Sequence, residues 1–328
     1  MRSGFVTGSV TIMQDGSVSP DAFSVALVGA GALGTVLGRG LAENGQRVEA
    51  VLSRSAKSAR ALADRVGASV AGSVEEEALP AAVRLVLICV PDDAIAGVAE
   101  RLAGFTHPWD DTIVAHTSGA QPAAVLDPVA RKGAATMSFH PLQTFTEATS
   151  PAALNGIFVG LEGDERALVV GEVLASKLGA HPVRLTPEEK ARYHCAAALA
   201  SNGLVALMAV VEEVFGSLED VDATGRTGTD LVAPLIEHTW AHLDQGSPEE
   251  ALTGPVRRGD EGTVQAHLDA LQAETPHLVP LYAALSTEMV RVAVRAGLPT
   301  DRAEALLETL REATEAATDA DDLPPPSR

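Results

Sequence analysis

Ser24-Val25-Ala26-Leu27-Val28-Gly29-Ala30-Gly31-Ala32-Leu33-Gly34 begins as a short apolar run of strand-forming character and continues as Gly-x-Gly-x-x-Gly. It passes directly into Thr35-Val36-Leu37-Gly38-Arg39-Gly40-Leu41, which has helical spacing. A glycine triplet alone is weak evidence in a chain rich in alanine and glycine. Strand, glycines and helix in that order form a dinucleotide-binding fingerprint. Gly29 would allow the tight turn, Gly31 the approach of backbone to a pyrophosphate, and Gly34 close helix–strand packing. Ala30, Ala32 and Leu33 complete the loop. Free N–H groups at the start of the helix would face the phosphates.

Outward from this stretch, apolar runs alternate with helical patterns. Strands are expected at Arg47–Leu52, Ala68–Val70, Arg84–Val90, Thr112–His116, Ala135–Phe139, Ile157–Leu161 and Pro182–Leu185. Runs apolar on both faces suit a parallel sheet covered on each side, so residues 23–186 are expected to form a Rossmann-type doubly wound α/β domain. At Thr186-Pro187-Glu188-Glu189 the sequence carries a helix-opening capping box and its character changes. Residues 187–318 are expected to form an all-α domain. Its first stretch, to about Phe215, is apolar on all sides and calls for burial, within the domain or against a second subunit. Residues 1–22 read as a disordered leader and 319–328 as an acidic, proline-rich disordered tail.

The chain has 328 residues, of which 46% are hydrophobic and only 3% aromatic, so its core must be aliphatic. Forty-four acidic residues against 24 basic ones give a net charge of −20, which argues against binding nucleic acid or an anionic membrane. Two cysteines, Cys89 and Cys195, imply no disulfide framework and fit a reducing, cytoplasmic setting. No signal-peptide pattern opens the chain, and no uninterrupted apolar run reaches the length of a membrane span.

The nucleotide preference is read where the second strand ends. An acidic residue there holds the ribose hydroxyls of NAD. Ser53-Arg54-Ser55 occupies the place instead, an arrangement that suits a 2′-phosphate and favours NADP(H). The plainer reading makes Arg54 a solvated loop residue.

Candidate chemistry lies beyond the strand ends. Cys89-Val90-Pro91 would border the nicotinamide side of the cofactor. Asp92 and Asp93 read as helix caps. Ser118 and His140 sit where a substrate should be, suited to orienting it or, for His140, to donating a proton. Lys190 and His194 lie four residues apart on one helix face, with Ser201 and Asn202 further along. Lys190 is open to two readings, a lysine of lowered pKa or a solvated first-turn residue paired with Glu188 or Glu189. Arg257 and Arg258, beside Gly254 and Gly259, could grip a substrate anion, although a solvent loop is the default. His238 and His242 have metal-like spacing without the acidic partner of a zinc motif, and no metal is expected.

The glycine motif, Cys89-Val90-Pro91-Asp92, His116-Thr117-Ser118-Gly119, Ser138-Phe139-His140-Pro141-Leu142, the Lys190-to-Asn202 helix and Leu252-Thr253-Gly254-Pro255 with Arg258-Gly259-Asp260 form a specific set. Together they resemble bacterial proteins that join a Rossmann-like domain to a C-terminal helical domain of unknown function, described as NADP oxidoreductases. The wider superfamily is similar to pyrroline-5-carboxylate reductase, 6-phosphogluconate dehydrogenase and ketopantoate reductase. In its hydroxyacid dehydrogenases a catalytic lysine is followed four residues on by an asparagine. Lys190 matches the lysine, but His194 stands in the asparagine's place and Asn202 comes two turns too late. The resemblance implies an NADP(H)-dependent oxidoreductase reducing a C=O or C=N bond of a small anionic metabolite, with dimerisation through the helical domain. Lys190 or His194 would protonate the heteroatom, Ser118 and His140 would orient it, and Arg257 or Arg258, with Asn202, would bind the substrate. The competing reading is a non-catalytic NADP-binding regulatory or scaffold protein.

Overall fold

A computed structural model describes residues 24–75, 78–216, 218 and 225–319. The expected leader and nearly all of the expected tail lie outside the described residues. The chain divides into two compact units, residues 1–201 and 202–328. The division falls later than Pro187, where the sequence changes character, because the helix opened by Pro187 packs into the first unit.

In the first unit the strands are β1 (Ser24–Val28), β2 (Val48–Leu52), β3 (Val70–Gly72), β4 (Val83–Ile88), β5 (Ile113–His116), β6 (Ala135–Pro141), β7 (Phe158–Gly163) and β8 (His181–Arg184). They form one sheet in the order β3-β2-β1-β4-β5-β6-β7-β8. The chain order reverses beside β1, which pairs in parallel with both β2 and β4. Such a switch point is where ligands bind in sheets of this kind.

All five residues of β1 are buried, and their side chains alternate between two cores. Val25 and Leu27 pack with α1 (Ala32–Glu43), α2 (Ala56–Val66) and α5 (Glu165–Lys177). Ala26 and Val28 pack with α3 (Asp92–Ala103) and the short α4 (Asp127–Ala130). Helices therefore cover both faces, as the continuous apolar runs imply. Two strands depart from the all-parallel expectation, since β8 pairs in parallel with a reversed β7. No crossover helix joins β6 to β7, so β7 returns antiparallel and sets Ser138 opposite Glu162 and His140 opposite Gly160.

The capping box forms as expected. Thr186 Oγ1 accepts the Glu189 N–H at 3.3 Å, and Glu189 Oε2 accepts the Thr186 N–H at 2.9 Å. It opens α6 (Pro187–Ala198), which continues through a π-helical turn, Leu199–Gly203, into α7 (Leu204–Gly216).

In the second unit follow α8 (Gly228–Gln245), the short α9 (Pro248–Ala251) and α10 (Gly254–Arg258), α11 (Glu261–Glu274), α12 (Val279–Arg295) and α13 (Thr300–Asp319). A core around Val256, Val264, Leu268, Val290 and Leu306 joins α10 to α13. The burial expected of α7 within its own unit is not met. Val205 is 69% exposed, and Trp240 on α8 is 68% exposed. By length and composition alone, the continuous helix Pro187–Gly216 could cross a membrane, its most apolar window having a mean hydropathy of 1.7.

Candidate functional site

Each fingerprint glycine meets a different constraint. Gly29, at φ +114°, could hold no Cβ, because that atom would lie 2.2 Å from the Cys89 carbonyl oxygen at the end of β4. At Gly34 a Cβ would lie 2.1 Å from the Gly29 carbonyl oxygen, so the helix can rest on the loop only without a side chain. Gly31 has open space around it. It precedes α1, whose first turn carries neither an acidic residue nor a side-chain cap. A bare, positively polarised helix end facing open space fits a phosphate. The residues present therefore fit a dinucleotide. A cleft of about 290 Å³ adjoins the loop and is lined by Gly31 and Thr35 together with Ser58, Arg65 and Glu147, which sequence reasoning did not single out.

Past β2, Arg54 is exposed. The Ser55 hydroxyl accepts the Ser58 N–H at 3.3 Å and caps α2, so one of the two hydroxyls expected beside a 2′-phosphate already has a structural task. On the other side of the loop, burial pushes the Cys89 thiol up to about 12. It stays neutral there and offers no nucleophile. Pro91 occupies the N-cap position of α3.

The cap role expected of Asp92 does not form. Asp92 is the first residue of α3, and its Oδ2 accepts the Ser118 hydroxyl proton at 2.7 Å. The same Ser118 Oγ accepts the N–H groups of Ala120 and Gln121 at 3.1 and 3.0 Å. With one donor and two acceptor sites, this hydroxyl is fully occupied. Ser118 thus builds the loop after β5 and has no hydrogen-bonding capacity left for orienting a substrate. His116 supports the same loop from below. Fully buried, it accepts the Ser118 N–H on Nδ1 at 3.1 Å and lies 3.3 Å from the Pro122 carbonyl through Nε2. That pairing puts its proton on Nε2. Burial, and then the Lys190 charge, push it down to about 4.

Lys190 is not a solvated first-turn lysine. It is 2% exposed, and its Nζ donates to the Ser118 carbonyl at 3.1 Å and to Ser138 Oγ at 2.5 Å. Ser138 Oγ in turn donates to the same carbonyl at 3.1 Å. Burial lowers the Lys190 ammonium to about 8, against the opposing pull of Glu162 and Asp92. Glu162, buried on β7, accepts the Ala123 N–H at 2.7 Å. The antiparallel return of β7 supplies this carboxylate, which nothing in the linear pattern marks.

His140, on β6, lies 3.1 Å through Nδ1 from the Tyr193 hydroxyl. Burial, then the charges of Lys190 and His194, push it down to about 4. The His140 and His194 rings meet edge-on at 5.9 Å. His194 Nδ1 is buried with no hydrogen-bond partner. Gly119 lies between them, where a Cβ would come 2.5 Å from His194 Nδ1 and 2.8 Å from His140 Nε2. The structure therefore brings Lys190, His194, His140 and Ser118 together within the first unit. It adds Asp92, Ser138, Glu162 and Tyr193.

The remaining candidates belong to the second unit. Asn202 is exposed in the π-helical turn. The segment with Arg257 and Arg258 is a short helix, not a loop, and Asp260 caps the next helix by accepting the Thr263 N–H at 3.1 Å. Arg257 Nη2 donates to the Ala296 carbonyl at 2.9 Å, and Arg258 lies 3.9 Å from Asp260. The His238 and His242 rings meet at a tilt, with centroids 4.5 Å apart, on α8. Among the described residues, no cluster of three or more His, Cys, Asp or Glu side chains could hold a metal ion.

Two family models match the sequence. A Rossmann-like domain covers residues 10–141, and the domain of unknown function DUF2520 covers residues 157–289. The chain joins a Rossmann-like domain to a DUF2520 domain. The DUF2520 match begins at the antiparallel strand β7, so it takes in β7, β8 and α6 as well as most of the helical unit. Glu162, Lys190, Tyr193 and His194 thus lie on the DUF2520 side, and Asp92, Ser118, Ser138 and His140 on the Rossmann-like side.

Among solved structures, the chain is similar to a candidate NADP oxidoreductase from Bacteroides fragilis. The two share 26% identity at a TM-score of 0.66, over 83% of this chain and 99% of that one. A protein from Thermotoga maritima is similar at 27% identity and a TM-score of 0.67, over 83% and 98%. An imine reductase from Myxococcus stipitatus, solved with NADP+, shares the fold at 16% identity and a TM-score of 0.51, over 89% and 94%. No curated protein sequence matches the chain.

Proposed function

We propose that the protein is an NADP(H)-dependent oxidoreductase that reduces a C=O or C=N bond of a small substrate. The carrying observation is the buried Lys190, held beyond the ends of β5 and β6 in the same unit as the glycine cradle. The likeness to the Bacteroides fragilis protein supports the reading. Bound NADPH would supply a hydride to the substrate carbon. The chain's own residues would supply the proton to the heteroatom. An ammonium lowered to about 8 exchanges protons near neutral pH far more readily than an ordinary lysine. His140 and His194 flank Gly119 and would orient the heteroatom. An anionic substrate would rest on Arg257 and Arg258. Both guanidiniums meet partners inside the helical unit, so the proposal keeps the bond and drops the charge.

The test is a panel of cyclic imines and 2-oxo acids, ketopantoate included, followed by NADPH absorbance. Consumption that disappears in Lys190→Met supports the proposal, and full turnover by that variant would sink the role of Lys190. One observation favours the scaffold reading. Two of the three Lys190 N–H donors are spent on Ser118 and Ser138, as in a structural pin. That reading predicts NADPH binding with no consumption across the panel. We further propose a homodimer through the helical unit, because the exposed Leu204, Val205, Leu235 and Trp240 need cover. Light scattering that returned a monomer mass would refute it.

A further inference from the structure

Gly160 stands directly across the sheet from His140, in the register where β7 returns antiparallel. A Cβ on Gly160 would lie 2.9 Å from Tyr193 Cζ and 3.0 Å from its hydroxyl oxygen. The missing side chain is the space the phenol occupies. Tyr193 enters that space from α6, meets the His140 ring edge-on at 5.6 Å, and brings its hydroxyl 3.1 Å from Nδ1. The alternative acceptor, the His140 carbonyl, lies further away at 3.4 Å. A phenol has one proton to donate, and the nearer acceptor with an open lone pair takes it.

We propose that Tyr193 is a positioning residue that fixes the tautomer of His140, donating to Nδ1 and so holding the imidazole proton on Nε2, which approaches Gly119. The inference rests on the oxidoreductase reading above and deepens it. His140 then meets the ligand as a neutral hydrogen-bond donor, and the group it recognises is an acceptor heteroatom, a carbonyl oxygen or an imine nitrogen with its lone pair. Both ionisation states agree with this. Burial pushes the Tyr193 hydroxyl up to about 12, so it keeps its proton, while His140 stays neutral down to about pH 4. The charged or titratable neighbours that act on His140 are Lys190, His194, Asp92 and His116. None of them is hydrogen-bonded to either ring nitrogen, which leaves the choice of tautomer to Tyr193.

The test needs no substrate. Long-range ¹⁵N–¹H spectra of the full chain labelled on histidine distinguish a protonated ring nitrogen from a bare one, with His140 assigned by its loss in His140→Gln. The expected result is a single His140 tautomer protonated on Nε2 at neutral pH. In Tyr193→Phe that preference should collapse to a mixture or move to Nδ1, with the circular dichroism spectrum unchanged. Gly160→Ala, which displaces the phenol, should reproduce the change with Tyr193 still present. A wild-type His140 protonated on Nδ1, or a tautomer unmoved in Tyr193→Phe, would overturn the proposal. Absence of NADPH consumption bears only on the oxidoreductase reading, because the tautomer is measured without it.

Discussion

Replacing Lys190 by Met keeps the length and volume of the side chain and removes only the charge and the N–H donors. The structure sets what this should cost. Two hydrogen bonds from an ammonium disappear, each a charged interaction contributing on the order of 1.5–3 kcal/mol. Against that, the desolvation penalty of a buried cation is removed, while the buried Glu162 carboxylate loses the positive charge that faces it. No donor is orphaned. Ser138 Oγ still donates to the Ser118 carbonyl, and Glu162 still accepts the Ala123 N–H. The net loss in unfolding free energy should therefore stay below about 4 kcal/mol. Lys190→Ala adds a cavity and should cost on the order of 2–5 kcal/mol. Catalysis should respond in the opposite proportion, with turnover falling about 10²–10⁴-fold in Lys190→Met, the range supplied by a general acid or base. Urea unfolding followed by circular dichroism reads the first quantity, and single-turnover NADPH oxidation the second. A Lys190→Met protein destabilised by more than about 4 kcal/mol would show that the lysine is chiefly a structural pin. A stable variant with undiminished turnover would refute the proton-transfer role.

Other substitutions test other parts of the account. Gly29→Ala places a methyl group against the Cys89 carbonyl at a backbone angle that L-residues avoid, so it should cost about 2–6 kcal/mol and abolish nucleotide binding. Thermal melts with and without NADPH check it. Gly119→Ala presses instead on two imidazoles that can swing aside, so stability should drop by only about 1 kcal/mol while the His140 and His194 ring resonances shift. Both His116 and His140 are held neutral in the fold down to about pH 4. The unfolded chain binds protons from about pH 6.5 downward, so the contribution of these two histidines should fall as pH drops from 6.5 to 4 and level off below. The fully buried His116 contributes on the order of 1.4 kcal/mol per pH unit and the half-buried His140 less. Urea midpoints at several pH values should show the slope, reduced in His116→Gln.

Much of this molecule is legible in the sequence because its constraints are local. The apolar run through Val28, the three glycines and the Thr186 capping box each announce themselves within a few residues. Asp92 misleads for the same reason. An acidic residue at the start of a helix has an obvious local role, whereas its actual partner, Ser118, is 26 residues away. Glu162 and Gly160 acquire meaning only from the antiparallel register of β7, which sets them opposite Ser138 and His140. A parallel strand would have placed neither there. Tyr193 is legible once that register is known, since the gap at Gly160 is its signature. The apolar stretch through Val205 calls for burial, but what covers it lies beyond a single chain's sequence pattern.

The proposed oxidoreductase role requires a cradle that prefers NADP(H). Fluorescence titration of the chain with NADPH and with NADH, repeated in Arg54→Asp, measures this directly. The exposed guanidinium of Arg54 should make NADPH the tighter ligand by about tenfold or more, as one charged hydrogen bond to a phosphate allows. Arg54→Asp should remove or reverse that preference. Equal affinity for the two nucleotides, tighter binding of NADH, or no binding of either would contradict the central claim.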